Sequence, residues 1–412
     1  MMSEIELVFD VEVAGVQRSF ENQVLRVRPP VELFANDVQL NSRDEAAERF
    51  IPITSEPAMP IITVANNQDD QIRGRLKIEC IKNYDGQVVR KWLNYYPEEE
   101  NDEVQTQIIN AHDTWNVDFG NHIRGGIATF EYVNGDAEWN DENIQTFVFY
   151  LRGQNPNRDD VISYIQDEGY DDQYWFLIRL IRHESATGNS NEFRQFNIGT
   201  NYTVNSVRGL PNFGPPRGYG LGQIDNFGRL VNGYSQLTNQ QREQLGLSDV
   251  ERGETIVDDQ GRTIDWQGYI IASDNQVWNW KENVDTVITF LDIKKQTIIN
   301  KYNGWVNNAN NWNNAHPNDL VEQYDDQIEG DITFSSIRSY IDGVPTTVNE
   351  YFNESENSET TKSFIDACLI RYYNGGYYHR LRRNGNQKPY WQIDRDSEQS
   401  GFYVEHICSQ DE

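Results

Sequence analysis

The stretch DDQYWFLIRLIRHES, residues 171–185, decides how the second half of the chain is expected to fold. Acidic residues begin it, and apolar residues then occupy nearly every face of a helical projection, so we expect a helix buried inside a domain. The segment ends with Glu184 and Ser185. A carboxyl group at the C-terminal end of an apolar helix has a raised pKa, because apolar surroundings and the negative helix end both disfavour the carboxylate. Such a group is suited to general acid chemistry near neutral pH.

Helical patterns flank this segment on both sides. We expect a short helix over DDVISYIQDEG (159–169), an amphipathic helix over ENVDTVITFLDIKKQTIINKY (282–302) that stops near Gly304, and a third over TTKSFIDACLIRYYNGG (360–376). Residues 225–275 and 305–360 are more polar. They predict surface loops, with one or two short helices in the first of these stretches.

The first third of the chain has the period of β-strands instead. Apolar residues alternate in IELVFDVEV (5–13) and LKIECI (76–81), and turn pairs at Asp85-Gly86 and Asn134-Gly135 mark hairpins. IQTFVFYLRG (144–153) predicts a closing strand. This pattern favours an immunoglobulin-like β-sandwich over residues 1–152, serving binding or attachment. The polar, proline-containing stretch at 153–160 marks a boundary, and residues 153–412 form the predicted second domain.

Length, charge and cysteine spacing limit the number of domains and the classes of partner. At 412 residues the chain is too long for one ordinary domain. A net charge of −30 argues against nucleic acid as a partner, because phosphate binding needs a basic surface. No apolar run is long enough to span a membrane, and MMSEIELVFD has no basic or apolar region typical of a secretory signal. The three cysteines lie far apart, so we expect reduced thiols and neither a disulfide framework nor a metal cluster.

Three separated motifs carry a family resemblance. They are Glu184-Ser185, then Gly220-Leu221-Gly222-Gln223 within GYGLGQID, and then Tyr372-Tyr373-Asn374-Gly375-Gly376. In this order they resemble the motifs of the lysozyme-like superfamily, specifically soluble lytic transglycosylases and goose-type lysozymes. NWKENVDTVITFL (279–291) is similar to the helix between the last two motifs. The resemblance covers roughly residues 155–395 and implies a mostly α lysozyme-like domain. Together with the N-terminal strands, it gives a predicted multidomain α+β fold.

The resemblance also implies a reaction and a set of site residues. It implies cleavage of the β-1,4 bond between N-acetylmuramic acid and N-acetylglucosamine, with Glu184 as the catalytic acid and then base, and with no cofactor or metal. Glycines in the second motif let a sugar ring approach the backbone. The residues implied to bind substrate are Ser185, Gly220, Leu221, Gln223, Asp225, Tyr373 and Asn374. Gly222 stands where the family usually has methionine, a change that would widen the floor of the groove.

Two alternatives stay open at this point. A goose-type muramidase would hydrolyse the same bond, with Asp225 activating water, whereas a transglycosylase forms a 1,6-anhydro product without water. A non-catalytic glycan-binding or structural module is the third hypothesis. The expected partner in each case is a peptidoglycan strand at the cell wall, in the periplasm or outside the cell. A lytic enzyme without a standard signal would arrive by lysis, in a phage-type particle or through a contractile injection machine, with the β-domain as the docking part.

Overall fold

A computed structural model gives the fold of the chain. It describes residues 3–13, 16–27, 29–40, 49–84, 87–100, 103–185, 193–203, 206–214, 218–224, 255–257, 263–266, 272–321, 338–341, 344–347, 364–374, 376–393, 403–404 and 407. Within these residues no helix is both long enough and apolar enough to cross a membrane.

The chain divides into two compact units, and the first of them is discontinuous. The first unit comprises Met1–Asn155, Gln195–Asn212 and Val277–Asn279, and the second comprises Pro156–Arg194, Phe213–Gln276 and Trp280–Glu412. The sequence placed a single boundary between residues 152 and 153. The two later segments of the first unit carry no compositional mark that would have assigned them to it.

The first unit is built from strands. Its strands are β1 (Ser3–Val13), β2 (Val16–Val27), β3 (Val31–Ala35), β4 (Val38–Gln39), β5 (Phe50–Ile53), β6 (Ile62–Asn66), β7 (Ile72–Tyr84), β8 (Gln87–Tyr96), β9 (Gln107–Ile109), β10 (Thr114–Asn116), β11 (Gly126–Asn134) and β12 (Gln145–Gly153). β1 and β2 form a hairpin of their own. One sheet has the order β10-β6-β3-β4, and a six-stranded sheet has the order β5-β12-β11-β7-β8, with β9 also paired to β7.

Alternating apolar residues account for the larger sheet. Leu76, Ile78 and Cys80 on β7 are buried, as are Phe130 on β11 and Phe149 on β12. The strands predicted from LKIECI and IQTFVFYLRG are therefore confirmed. The turn expected at Asp85-Gly86 lies outside the described residues, although Tyr84 and Gln87 on either side of it are paired.

The later segments complete the core of the first unit with two aromatic side chains. Phe196 packs on Gly153, where an added Cβ would lie 2.2 Å from the ring, and Trp278 packs on Gly125 in the same manner at 2.3 Å. Asn155 accepts a hydrogen bond from the backbone N–H of Phe196 and donates one to its carbonyl. Glycine is required at both positions because the aromatic rings occupy the space of a side chain.

The second unit mixes helices with short hairpins. Its helices are α1 (Arg158–Asp167), α2 (Tyr170–Gln173), α3 (Leu177–Ser185), α4 (Asp274–Trp278, which continues into the first unit), α5 (Trp280–Ala315) and α6 (Phe364–Tyr373). The hairpins are β13 (Phe213–Gly214) with β14 (Gly218–Tyr219), β15 (Thr255–Val257) with β16 (Thr263–Trp266), β17 (Arg338–Ile341) with β18 (Val344–Thr347), and β19 (His379–Arg382) with β20 (Tyr390–Ile393).

The helix expected over residues 171–185 is broken in the structure. α2 ends at Gln173, and Tyr174 has φ −137° and ψ 82°, which no helix accommodates. The Gln173 and Tyr174 side chains both bond Asp292 of α5. These bonds hold the non-helical link, so that only α3 (Leu177–Ser185) remains as the apolar helix.

α5 is longer than expected. The sequence predicted an end near Gly304, but the helix continues to Ala315. Ala309, Trp312 and Asn313 are buried beyond the glycine, so packing of the last turns outweighs the intrinsic cost of one helical glycine. The prediction of a surface loop over residues 305–360 is therefore wrong for residues 305–315, which are helical.

The predicted fold class is wrong. It paired an immunoglobulin-like β-sandwich with a mostly α lysozyme-like domain, whereas the structure is a mixed α/β fold with 31% helix and 28% strand. Strands are not confined to the N-terminal part, because the described residues of the second unit form four hairpins, three of them between helices and one after α6. Their strands are only two to four residues long, too short for an alternating pattern to stand out from polar loops.

Candidate active site

Glu184 lies in the last turn of α3, and its side chain is partly exposed. On the inward side of the same helix Leu177, Leu180 and Ile181 are buried. The carboxyl group therefore stands where a buried helix ends, next to the negative end of the helix dipole.

Burial dominates the electrostatics of this carboxyl group. Removal from water raises the pKa of Glu184 above its ordinary value, while a hydrogen bond from Tyr403 and the positive charge of Lys294 act in the opposite direction. The net direction is upward. Glu184 therefore keeps its proton to a higher pH than an exposed glutamate does.

Tyr403 is the hydrogen-bond partner of Glu184. Its hydroxyl donates to Oε1 of Glu184, and the ring is buried. Burial and the neighbouring carboxyl raise the pKa of Tyr403 well above its ordinary value, so the phenol keeps its proton and stays a donor. His183 packs edge-on against the Tyr403 ring, with 4.8 Å between the ring centroids. This contact is consistent with a structural role for His183.

The second motif forms a tight turn held from α5. Gly220 has φ +69° and Gln223 has φ +48°, the left-handed region in which residues with a side chain are uncommon. The fully buried Asn283 accepts a hydrogen bond of 2.8 Å from the Gly222 backbone N–H and donates one of 3.1 Å to the Tyr219 carbonyl. One amide side chain thus fixes both sides of the turn.

Two glycines of this motif are required by packing within the protein. A Cβ at Gly222 would lie 2.1 Å from Cγ2 of Val287, and a Cβ at Gly218 would lie 2.1 Å from Oε1 of Gln223. Val287 thus occupies the space next to Gly222. The expectation that this glycine widens a groove floor is wrong, because the missing side chain is replaced by a valine from α5.

The third motif reaches the second through Tyr373, the last residue of α6. Its hydroxyl donates a hydrogen bond to the Gly222 carbonyl. The pKa of Tyr373 is raised well above its ordinary value, first by burial and then by the charge of Glu184. Tyr373 is therefore bonded to the second motif and close enough to the first for the charge of Glu184 to act on it. Asn374, the next residue, is exposed.

The remaining predicted residues differ in their surroundings. Leu221 is 0% exposed and belongs to the core, and Gly220 is also buried. Gln223 is partly exposed and donates from its amide to the Gly220 carbonyl at 2.9 Å. Ser185 is buried, and its Oγ has no hydrogen-bond partner among the described residues. Asp225 lies outside the described residues.

Sequence reasoning did not find Tyr403, Lys294 or the role of Asn283. Lys294 left a signal, because it falls at helical spacing between Leu291 and Ile298 on the apolar face of α5. A charged residue at a core position requires a partner, and this one finds it at the end of α6. Tyr403 left no comparable signal, since one tyrosine in the C-terminal stretch matches no pattern.

The arrangement supports proton transfer by one carboxyl group. Glu184 is partly accessible, its pKa is raised by burial, and Tyr403 is in place to stabilise the carboxylate once the proton leaves. No group of three or more His, Cys, Asp or Glu side chains suited to a metal occurs in the described ranges.

No family model matches this chain, and no curated protein matches it.

Proposed function

We propose that this protein is a peptidoglycan-cleaving lytic transglycosylase and that Glu184 is its catalytic residue. The observation that carries the proposal is the position of Glu184: it is partly exposed in the last turn of a buried helix and accepts a hydrogen bond from the buried Tyr403. Burial raises its pKa, as a general acid requires. The motif resemblance supplies the substrate, a glycan strand of alternating N-acetylmuramic acid and N-acetylglucosamine.

Glu184 acts twice in the proposed reaction. It first donates its proton to the glycosidic oxygen as the bond between that oxygen and C1 of the muramic acid breaks. Tyr403 stabilises the resulting carboxylate by its hydrogen bond. The carboxylate then removes the proton from the 6-hydroxyl of the same muramic acid, whose oxygen bonds to C1. The product is a 1,6-anhydro sugar, and Glu184 regains its proton.

Substrate contacts are assigned to the accessible residues of the motifs. Gln223 and Asn374 present amide groups at the surface and suit hydrogen bonds to sugar hydroxyls or N-acetyl groups. The buried Leu221 supports the turn from inside, and Ser185 is likewise buried. Fewer residues therefore contact the substrate directly in this proposal than the motif resemblance alone implies.

Hydrolysis is the second candidate reaction. Asp225 directly follows Ile224, the last described residue of the turn, and it matches the aspartate of the goose-type motif. A carboxylate there would activate water, and the product would carry a reducing end. Loss of activity in Asp225→Asn favours this route, whereas a transglycosylase tolerates the change.

Mass spectrometry of peptidoglycan after incubation with the pure protein tests the proposal. Fragments that end in an anhydro sugar support transglycosylation. Fragments with a reducing end show that the reaction is hydrolysis instead. If no cleavage occurs and glycan binding survives Glu184→Gln, the protein is a binding or structural module and not an enzyme of this kind. Within the favoured proposal, the strand-rich first unit is the part that attaches the enzyme to a wall, particle or secretion machine.

A further inference from the structure

Lys294 is buried, unlike every other lysine whose exposure the structure describes. It lies on α5 between the core residues Leu291 and Ile298, and it is 3% exposed. An amino group this deeply buried needs hydrogen-bond acceptors, because desolvation strongly disfavours its charge. The proposed proton transfer does not use it.

Both of its hydrogen bonds go to the end of α6. Nζ donates to the carbonyl of Tyr372 at 2.8 Å and to that of Tyr373 at 2.9 Å. The backbone N–H of Gly376 bonds the Arg371 carbonyl. Three of the last carbonyls of α6, which the helix itself leaves without donors, are satisfied in this way.

Aromatic faces enclose the same amino group. Nζ lies 4.0 Å from the ring centroid of Phe290, 4.7 Å from that of Tyr373 and 5.4 Å from that of Tyr372. Electron-rich ring faces attract a cation, and the attraction is stronger away from water. The surroundings of Lys294 therefore offer an amino group both hydrogen-bond acceptors and aromatic faces, which offset part of the cost of its burial.

We propose that Lys294 acts as a positioning residue for Glu184, because it anchors the end of α6 and supplies a buried positive charge to the site. This inference rests on the proposed function of Glu184. Tyr373, which Lys294 holds through its carbonyl, is also the residue that bonds the Gly222 turn. Removal of the lysine therefore disturbs both the geometry of the site and its charge.

The charge makes a specific contribution to the acid. Burial raises the pKa of Glu184, and the charge of Lys294 lowers it. Conversely, burial lowers the pKa of Lys294 well below its ordinary value, and Glu184 raises it. The other titratable groups that face this pair are Tyr403, Tyr373 and Tyr372, together with Arg371, whose charge acts on Tyr403.

Neighbours of Lys294 on its own helix have separate partners. Asp292 accepts hydrogen bonds from Gln173 and Tyr174, and Lys295 lies 5.9 Å from the Tyr174 ring centroid. Lys295 is only partly buried. It offers a matched control, since the same substitution one residue away removes a lysine that lies over Tyr174 and leaves the Lys294 bonds to α6 in place.

The first test compares the pH dependence of kcat/KM. Lys294→Gln retains N–H donors but no charge, and Lys294→Met removes both. In each variant the alkaline limb, where Glu184 loses its proton, should move upward by roughly one pH unit, the size expected of a nearby opposite charge. Lys295→Gln should leave it in place. A limb that stays at its wild-type position in both Lys294 variants overturns the proposal, even if turnover falls.

The second test needs neither activity nor a Lys294 variant. In the full-length protein labelled with 13C at lysine Cε, one lysine resonance should titrate well below the others by NMR. In Glu184→Gln its midpoint should fall further, by roughly one unit, because the carboxylate no longer favours the ammonium. Glu168→Gln, a change at an exposed glutamate, should not move it.

The two outcomes separate the two hypotheses. The shift in Glu184→Gln without any cleavage of peptidoglycan would reject the proposed function and keep the coupling. If no lysine titrates apart from the rest, or if its midpoint is the same in wild type and Glu184→Gln, the positioning role of Lys294 is wrong whatever the enzyme does.

Discussion

At the scale of single residues, Glu184 is subject to opposing influences. Burial raises its pKa, and Tyr403 and Lys294 lower it. A group that must first release and later recover a proton needs both, because a carboxyl group that can never ionise is not an acid. Activity should be highest below the folded pKa of Glu184, which burial raises, and should be lost as pH rises through it.

The same raised pKa has a consequence for stability. Because folding favours the protonated carboxyl group, the stability that Glu184 contributes is fully present below its unfolded pKa. It is lost as pH rises through the folded pKa. The alkaline loss of activity and the loss of this contribution should therefore occur over the same pH range.

Tyr403→Phe tests the hydrogen bond to this carboxyl group. The change removes the donor and keeps the ring, so the carboxylate loses stabilisation and the pKa of Glu184 rises further. A hydrogen bond to a charged group contributes about 1.5–3 kcal/mol, so the alkaline limb of kcat/KM should move up by roughly 1–2 pH units. The pH–rate profile measures this shift. A downward shift, or none, would show that Tyr403 does not stabilise the carboxylate.

At the scale of elements, the sequence was informative where a pattern is local. Alternation in LKIECI and the acidic start of α1 followed by Gly169 predicted a strand and a helix that the structure contains. The break at Tyr174 and the passage of α5 through Gly304 depend on contacts with distant residues, which no local window contains. For the same reason the motifs indicated Glu184, Gln223 and Tyr373, while Asn283, Lys294 and Tyr403 emerged only from the packing.

Gly222→Ala tests the packing of the turn on α5. The new methyl group would lie 2.1 Å from Cγ2 of Val287, so we expect destabilisation of about 1–3 kcal/mol, the usual cost of overpacking. Val287→Ala opens a compensating space. The double variant should therefore lose less free energy of unfolding than the sum of the two single losses, as measured by chemical denaturation. Strict additivity would mean that the two residues are not in contact.

Gly304→Ala tests the continuity of α5. Gly304 is exposed in the helix, and nothing lies within 4 Å of the position of an added Cβ. Alanine should stabilise the protein by about 0.5–1 kcal/mol, because it lowers the entropy of the unfolded chain and favours the helix. A decrease in the free energy of unfolding at this site would argue that the helix ends at the glycine, as the sequence alone predicted.

At the scale of the whole molecule, the first unit depends on segments far along the chain. Phe196 is 2% exposed and covers Gly153, while Ile198 in the same segment is 54% exposed. Phe196→Ala should cost about 3–5 kcal/mol of unfolding free energy. Ile198→Ala, the matched control, should change it by less than about 0.5 kcal/mol. Equal, small effects in denaturant titrations would show that this segment is not part of the core.

The central claim is that Glu184 is the acid of a peptidoglycan-cleaving reaction, and its most direct test is the turnover of Glu184→Gln. Release of soluble fragments from peptidoglycan is measured for wild type, for Glu184→Gln and for the exposed control Glu168→Gln, with thermal unfolding recorded for each. Glutamine keeps the shape and an acceptor for Tyr403 but cannot deliver a proton. We predict a loss of about 10²–10⁴-fold with little change in Tm, and wild-type turnover in the control. Wild-type turnover in a folded Glu184→Gln variant would contradict the claim.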